Sequence, residues 1–225
     1  MSVNIKAYEE IIKELREKDV QLIAVSKTKP VEDIQQLYDL GQRDFGENYV
    51  QELIEKQPRL PQDIRWHFIG HLQSNKIKFI IPFVHLIHGV DSFKLLKEIN
   101  KQAVKHNREI NCLLQVHIAD EETKFGFDEE MLMNIDLKEI DELPNAHVCG
   151  LMGMASFSSD RDKIKNEYRK LKILFDKFSQ LPIATSKLQT LSMGMSGDYK
   201  IAIEEGSTMI RVGSLLFGER KYNML

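Results

Sequence analysis

The 225 residues of this chain, 42% of them hydrophobic and 29% charged, suffice for one globular domain with a substantial core, which excludes a disordered protein. The formal net charge of -3 arises from 34 acidic and 31 basic residues spread along the chain, which argues against nucleic acid as a partner. Cys112 and Cys149 lie in apolar runs, so no disulfide framework is predicted. Without an apolar signal segment or an apolar run near the roughly 20 residues of a membrane helix, we expect a cytoplasmic protein that makes no membrane contact.

No linker or shift in composition divides the sequence, so residues 1–225 are expected to form a single domain. Short β-branched or aromatic runs alternate with longer segments whose apolar residues have helical spacing. After a first helix over about residues 4–18, the predicted strands are Leu22–Ser26, Arg43–Gly46, Trp66–Gly70, Leu86–Val90, Cys112–Ile118, Val148–Met152, Thr190–Met193 and Met209–Gly213. The predicted helices between them include Val31–Leu40, Val50–Lys56, Phe93–His106, Lys163–Phe178 and Asp198–Glu205.

Alternating strands and helices of these lengths predict an α/β fold, a TIM-like (β/α)8 barrel with an additional N-terminal helix. A doubly wound open sheet is the alternative, but no G-x-G-x-x-G opens a helix after the first strand. In a parallel barrel the carboxyl ends of all strands meet at one face. We therefore expect the chemistry at that face.

Lys27 closes the first predicted strand, directly after the apolar run LIAVS. A lysine close to a barrel interior loses hydration, which lowers its pKa and supplies a neutral amine able to attack a carbonyl carbon. On position alone, a surface lysine at a strand end is the simpler interpretation, since lysine is rarely buried.

The segment LSMGMSGDYKIAIEEG places serines and glycines directly before a helix, where free N–H groups and the helix dipole favour a phosphate. Ser196 is the predicted N-cap, and an ordinary cap is the alternative. The last strand ends in Arg-Val-Gly-Ser, and its period of two puts Arg211 and Gly213 on one side. An inward arginine needs a partner, for which Glu47 is one candidate, while Gly213 and Ser214 could bind an anion or form a turn.

His67 and His71 have the i, i+4 spacing that is associated with metal binding on a helix. Because Trp66–Gly70 is predicted to be a strand, this spacing does not bring the two rings together. No metal site is therefore predicted. The other histidines are interpreted as structural or exposed: His85, His88, His106, His117 and His147.

Six sequence blocks run in order through nearly the whole chain: AVSKTKP, FGENYVQE, WHFIGHLQSNK, GLMGM, LSMGMSGDY and a closing GST-x-x-R-x-G-x-x-x-FG-x-R. In these blocks the chain resembles the pyridoxal phosphate homeostasis proteins, which are related in fold to the amino-terminal barrel of alanine racemase. The resemblance implies pyridoxal 5'-phosphate as the cofactor, held by a Schiff base to Lys27.

The same resemblance assigns further roles, residue by residue. It implies that Arg211 contacts the pyridine nitrogen and that Ser196, Gly213 and Ser214 bind the phosphate. Asn48 and the segment Met152–Met154, with Met154 as a cofactor contact, are expected near the ring, and His71 and Ser74 at the edge of the site. Two segments depart from the family pattern, namely Gly89 in place of a serine in His-Gly-Val-Asp-Ser and the stretch at residues 122–126.

The implied function is intracellular homeostasis of the cofactor by storage, buffering and, as an open possibility, delivery to other enzymes. A charged arginine cannot accept a proton, so the pyridine nitrogen stays unprotonated and the ring is a weaker electron sink. Racemases of this fold add a second domain, for which the residues up to Leu225 leave no room. We therefore expect a monomer that is not an enzyme, with pyridoxal-phosphate-dependent acceptor enzymes as candidate partners.

Two alternatives remain open at this point. The first is a small pyridoxal-phosphate-dependent racemase or lyase, for which His71 or Tyr49 could act as the base. The second is a barrel that binds another phosphorylated metabolite and gives Lys27 no covalent role. Lys124 could dock or transfer the cofactor, although an exposed loop lysine is the simpler interpretation.

Overall fold

The structure, a computed structural model, describes residues 3–119, 125–181 and 188–218. Eight parallel strands pair in sequence order and the last one pairs with the first, which confirms the predicted closed barrel. The strands are β1 (Gln21–Val25), β2 (Asp44–Glu47), β3 (Arg65–Phe68), β4 (Val84–Val90), β5 (Ile110–Val116), β6 (Ala146–Gly153), β7 (Thr190–Met195) and β8 (Met209–Val212).

Helices follow the strands and surround the barrel. They are α1 (Ile5–Lys18), α2 (Val31–Asp39), α3 (Val50–Lys56), α4 (Ile77–Ile80), α5 (Phe93–Lys105), α6 (Glu129–Met133), α7 (Leu137–Asp141), α8 (Arg161–Ser179), α9 (Tyr199–Glu204) and α10 (Ser214–Phe217). Two 3₁₀ turns lie at Gln57–Arg59 and Ser74–Lys76. The four helices that the sequence did not predict, α4, α6, α7 and α10, have only one turn or slightly more, which is too short for helical periodicity to show.

The additional N-terminal helix α1 is confirmed, and local signals account for it. The side chain of Asn4 accepts a hydrogen bond from the Ala7 N–H at 3.1 Å and so caps the first turn. Tyr8, Ile11 and Leu15 recur at helical spacing and are buried in the core. The helix ends where Asp19 adopts a left-handed conformation.

The hydrophobic core has two parts. The larger part fills the layer between strands and helices. The smaller part lies inside the barrel and consists of Ile23, Leu86, Leu113, Met152 and Met209. Side chains alternate along a strand, so Ile23 and Val25 both face the inward side of β1. Lys27, two residues after Val25, lies on the same side. Across the described ranges, no helix combines the length and apolar character required to cross a membrane.

Candidate functional site

A cavity of about 430 Å³ opens at the carboxyl ends of the strands. Its volume falls in the range of about 300–1,000 Å³ that is usual for small-molecule sites. It is lined by all the residues that the sequence assigned to the cofactor: Lys27, Asn48, Met154, Ser196, Arg211, Gly213 and Ser214. The structure thus brings these residues from five strand ends to one place.

The cavity also has lining residues that the sequence did not single out. They are Val25, Lys29, Ile69, Phe157, Met195, Gly197, Asp198 and Gly218. Lys29 donates hydrogen bonds to the carbonyl oxygens of Phe217 and Gly218, at 2.7 and 3.1 Å, and thereby ties the loop after β1 to the end of α10. Only the position of Lys29 in the block AVSKTKP could have indicated this role.

A larger groove of about 1040 Å³ lies at the opposite end of the barrel, beside α1. Its lining includes Glu9, Lys13, Gln189 and Thr208 and none of the predicted site residues. In (β/α)8 barrels the chemistry is found at the carboxyl ends of the strands. We therefore place the functional site in the smaller cavity.

The residues on either side of Lys27 are held from outside the barrel. The Ser26 hydroxyl donates a hydrogen bond to Glu47 Oε1 at 2.6 Å, and the backbone N–H of Thr28 donates to Glu52 Oε1 at 2.6 Å. Thr28 has a φ of 63°, a left-handed conformation that is strained for a β-branched residue. These bonds fix the backbone that carries Lys27.

Lys56 on α3 connects these acceptors. Its ammonium group donates to Glu47 Oε1 at 2.8 Å, to Glu52 Oε1 at 2.6 Å and to the carbonyl oxygen of Ser26 at 2.8 Å. Burial raises the pKa of Glu47, although the positive charge of Lys56 opposes that effect. We call Ser26, Glu47, Glu52 and Lys56 the Lys56 cluster.

Arg211 lies inside the barrel and is almost completely buried. Its Nη1 donates to the hydroxyl of Ser192 at 2.5 Å and its Nη2 to the carbonyl oxygen of Gly153 at 3.0 Å. Burial lowers the pKa of Arg211, while Asp198 among its neighbours raises it. Glu47, one candidate partner for Arg211 in the sequence, does not pair with it, because Glu47 points outward from β2 and pairs with Lys56 on α3.

The ends of β7 and β8 are joined through Ser196, whose hydroxyl accepts a hydrogen bond from the Gly213 N–H at 3.1 Å. The prediction of Ser196 as a helix N-cap is wrong. The chain makes a further turn before α9, and Asp198 takes the N-cap position, with its carboxylate bonded to the Met195 N–H. Ser196 is therefore left on the wall of the cavity.

Two residues predicted at the edge of the site lie outside the cavity lining. His71 is half-exposed, 3.0 Å from Asp91 through Nδ1, and its ring stacks on Phe125. Ser74 is exposed in a 3₁₀ turn. Met152 is buried in the barrel interior, below Met154. Lys124 lies outside the described residues.

Gly89 departs from the family pattern at a point where β3 and β4 come close together. A Cβ atom at this position would lie 2.6 Å from the carbonyl oxygen of Gly70, which is shorter than any tolerable contact. A serine here would therefore require the two segments to move apart. Gly89 thus allows a close approach of the two backbone segments, and it is not among the described residues that line the cavity.

The sequence analysis missed a pair of histidines in the barrel interior. His67 Nδ1 lies 3.0 Å from His88 Nε2, and both side chains are fully buried. His67 Nε2 lies 3.0 Å from Asp44 Oδ1, and Arg65 also binds that carboxylate. The sequence could have indicated this pair, because His67 and His88 lie at inward positions of two adjacent strands, β3 and β4.

These groups shift one another's pKa values. Burial lowers the pKa of His67 and, more strongly, that of His88. Burial alone would raise the pKa of Asp44, but hydrogen bonds from Arg65 and His67 outweigh it and hold that pKa well below its usual range. The interior thus favours neutral histidines beside an ionised carboxylate.

Comparison with known proteins shows where this architecture belongs. The model of the family "Alanine racemase, N-terminal domain" matches residues 3–221. The pyridoxal phosphate homeostasis protein of Aquifex aeolicus is 43% identical over 204 residues, which cover 90% of this chain and 88% of that protein. The chain belongs to the pyridoxal phosphate homeostasis protein family. The resemblance inferred from the six sequence blocks is therefore confirmed.

Solved structures agree with this assignment to the homeostasis family. PipY of Synechococcus elongatus has been solved without PLP and with PLP bound, and these structures match with TM-scores of 0.86 and 0.82 at 36% identity. Each match covers 93% of this chain and 99% of PipY. An alanine racemase of Clostridium difficile shares the fold, with a TM-score of 0.74 at 15% identity. The match covers 99% of this chain and 58% of the racemase chain.

Proposed function

We propose that this protein binds pyridoxal 5'-phosphate through Lys27 and takes part in the intracellular homeostasis of that cofactor. The observation that carries the proposal is the cavity at the strand ends, which gathers every residue assigned to the cofactor from the sequence. The homeostasis name of the relatives and the PLP-bound structure of PipY support it.

The residues of the cavity fit this cofactor chemically. Lys27, Lys29 and Arg211 contribute three cationic side chains against the one carboxylate of Asp198, which suits a phosphorylated anion. Asn48 Oδ1 is buried and has no hydrogen-bond partner within the described residues. Such an acceptor suits a ligand with a hydroxyl group, and pyridoxal phosphate carries one on its ring.

Pyridoxal phosphate supplies an aldehyde that condenses with a lysine amine and a ring that withdraws electrons. Lys27 offers the amine, at the end of a backbone segment fixed by the Lys56 cluster. Arg211 can only donate hydrogen bonds, so a pyridine nitrogen that faces it stays unprotonated. Ser196 and the short helix that begins at Ser214 contribute a hydroxyl and N–H donors for the phosphate.

We propose little or no turnover of amino acids. An unprotonated ring nitrogen weakens electron withdrawal, and the titratable side chains in the described lining are limited to Lys27, Lys29, Asp198 and Arg211. Tyr49 and His71, which the racemase or lyase alternative needs as a base, are absent from that lining. The measurement is exchange of the α-proton of alanine in deuterated water, and exchange above the rate with free cofactor would favour the enzyme.

The proposal includes a cytoplasmic, single-domain monomer that stores the cofactor and delivers it to pyridoxal-phosphate-dependent enzymes. The single barrel in the described ranges and the even distribution of charge are consistent with it. Transfer is tested by mixing the loaded protein with an apoenzyme and following its activation. Activation no faster than with an equal concentration of free cofactor would argue against direct delivery.

The test of binding is borohydride reduction of the loaded protein followed by intact mass measurement. We expect one added cofactor mass on the wild type and none on the Lys27→Ala variant. Lys29→Ala is the matched control, because Lys29 also lines the cavity, and it should still be labelled. A colourless, unlabelled wild type would overturn the proposal in favour of a barrel that binds another phosphorylated metabolite.

A further inference from the structure

A continuous line of hydrogen bonds runs through the barrel interior from the cavity towards the amino ends of the strands. Arg211 Nη1 lies 2.5 Å from Ser192 Oγ, which lies 3.2 Å from His88 Nδ1. His88 Nε2 lies 3.0 Å from His67 Nδ1, and His67 Nε2 lies 3.0 Å from Asp44 Oδ1. We call these five residues the interior network.

Burial favours the neutral form of both imidazoles, and with neutral rings the two ends of the interior network fix the direction of every bond in it. Arg211 can only donate, so the Ser192 oxygen accepts and its hydrogen is available to His88 Nδ1. An ionised Asp44 can only accept, so His67 donates from Nε2, and the Nδ1 of a neutral His67 accepts from His88. Each of the two neutral histidines therefore carries its proton on Nε2.

A second proton on either ring would break or reverse this line. If His67 gained a proton on Nδ1, that N–H would face the N–H of His88 Nε2 across 3.0 Å, unless His88 moved its own proton to Nδ1 and so reversed its bond with Ser192. If His88 gained one on Nδ1, the Ser192 hydroxyl would lose its acceptor. The charged and titratable groups that face the two rings are Asp44 and Arg65 at one end, Arg211 at the other and His85 at the side.

The consequence concerns the orientation of Arg211. Two of its five N–H donors are engaged below the cavity, on Ser192 and on the carbonyl oxygen of Gly153. A planar guanidinium with two fixed bonds has one orientation, which determines where its other donors point. Because the Ser192 hydroxyl donates its hydrogen to His88 Nδ1, its rotation is fixed and a lone pair of its oxygen faces Arg211.

We propose that His67 and His88 are positioning residues for Arg211, which hold its guanidinium in one orientation towards the cofactor through a one-directional hydrogen-bond network anchored on Asp44. The inference rests on the proposed function, because it assigns to Arg211 the contact with the cofactor ring. Neither histidine lines the cavity.

The first test uses the protein without cofactor. Nitrogen-15 NMR of the imidazole side chains should show His67 and His88 neutral and protonated on Nε2 from about pH 8 down to about pH 6, below their usual pKa. A doubly protonated ring, or a proton on Nδ1 of either residue, would overturn the proposal. This outcome does not depend on whether the protein binds pyridoxal phosphate.

The second test measures cofactor binding by His88→Leu, with His106→Leu as the control. His106 is exposed at the end of α5 and is not a member of the network. We expect His88→Leu to bind pyridoxal phosphate about tenfold more weakly and with a shifted absorption maximum, while borohydride still labels Lys27. His106→Leu should match the wild type in both measurements.

Unchanged affinity and spectrum in His88→Leu, once circular dichroism shows that it is folded, would refute the positioning role. The Ser192→Ala variant gives an independent check, because it breaks the same line next to Arg211 and should shift the spectrum in the same direction. If the wild type takes up no cofactor, the proposed function fails, and the NMR result still decides whether the network exists.

Discussion

Lys27 and Arg211, which are proposed to hold the cofactor, lie near opposite ends of the sequence. Different contacts keep them in position. Lys27 depends on the Lys56 cluster, which lies outside the barrel, is charged and binds the backbone beside the lysine. Arg211 depends on the interior network, which contains neutral imidazoles and binds the side chain itself. A flexible lysine needs a fixed starting point, whereas an arginine that must face one atom needs a fixed orientation.

The largest expected effect comes from breaking the Lys56 cluster. Lys56→Met leaves the buried carboxylate of Glu47 without its counter-ion, and we expect the free energy of unfolding to fall by about 3–5 kcal/mol. Urea denaturation measures it. Lys97→Met is the control, because Lys97 forms an exposed pair with Glu139 that should contribute about 0–1 kcal/mol. Equal losses in the two variants would show that the cluster has no special role.

The second prediction concerns the pH dependence of stability, which should have opposite signs for the interior network and the Lys56 cluster. His67 and His88 have lowered pKa values in the fold, so below about pH 6.5 the unfolded chain binds more protons than the folded one. Stability should therefore fall as the pH drops, by about 2–3 kcal/mol between about pH 7.5 and about pH 5.5. Glu47 acts in the opposite sense, because its raised pKa lets the folded state take up a proton first.

Urea denaturation at the two pH values checks this, with His88→Leu as the diagnostic variant. Removing His88 should abolish roughly half of the loss. Asp44 contributes in a separate window, because its lowered pKa gives stability that is lost only below about pH 4. A stability that does not change between the two pH values would mean that the histidines already titrate normally in the fold.

The third prediction isolates the link between the network and Arg211. Ser192→Ala removes a buried hydroxyl that accepts a hydrogen bond from Arg211 and donates one to His88. We expect the free energy of unfolding to fall by about 1–2 kcal/mol. The control is Ser179→Ala, whose exposed hydroxyl bonds a single carbonyl oxygen and whose loss should stay within about 0.5 kcal/mol. Indistinguishable variants would argue that water replaces the Ser192 hydroxyl.

The smallest effect is expected at Thr28. This residue has a strained backbone conformation, and its N–H donates a hydrogen bond to Glu52 of the Lys56 cluster. Thr28→Gly relieves the left-handed conformation but adds freedom to the unfolded chain, so we expect a gain of only about 0.5 kcal/mol. The melting temperature measures it. Asp19→Gly, at a left-handed helix end remote from the cavity, should gain as much without changing cofactor affinity. A clear loss at Thr28 would indicate that its side chain makes a needed contact.

The sequence was sufficient to predict the barrel and the face that carries the cavity, because both depend on local order along the chain. Polar residues after buried strands meet at one face whenever the strands are parallel, whereas the roles of Lys27 and Arg211 came from the six family blocks. The N-cap was misassigned to Ser196 because one extra turn separates β7 from α9. Glu47 is not a partner of Arg211 because its side chain faces outward from β2.

The interior network was beyond the reach of sequence reasoning for another physical reason. Its members come from β2, β3, β4, β7 and β8, and their contacts depend on the register between those strands. His67 pairs in register with Gly46 and Leu86, while His88 reaches Ser192 across the barrel interior. A histidine on an isolated strand gives no sign of such a partner.

The seam between β1 and β8 has a consequence for how the protein comes into being. Lys27 follows the first strand and Arg211 lies on the last, and four residue pairs join these strands, from Gln21 with Met209 to Ala24 with Val212. During synthesis, the half of the site that carries the amine leaves the ribosome long before the half that carries the guanidinium. If Lys27 and Arg211 hold the cofactor as proposed, its binding at full affinity must wait until the barrel closes, and bound cofactor should in turn stabilise the pairing of β1 with β8.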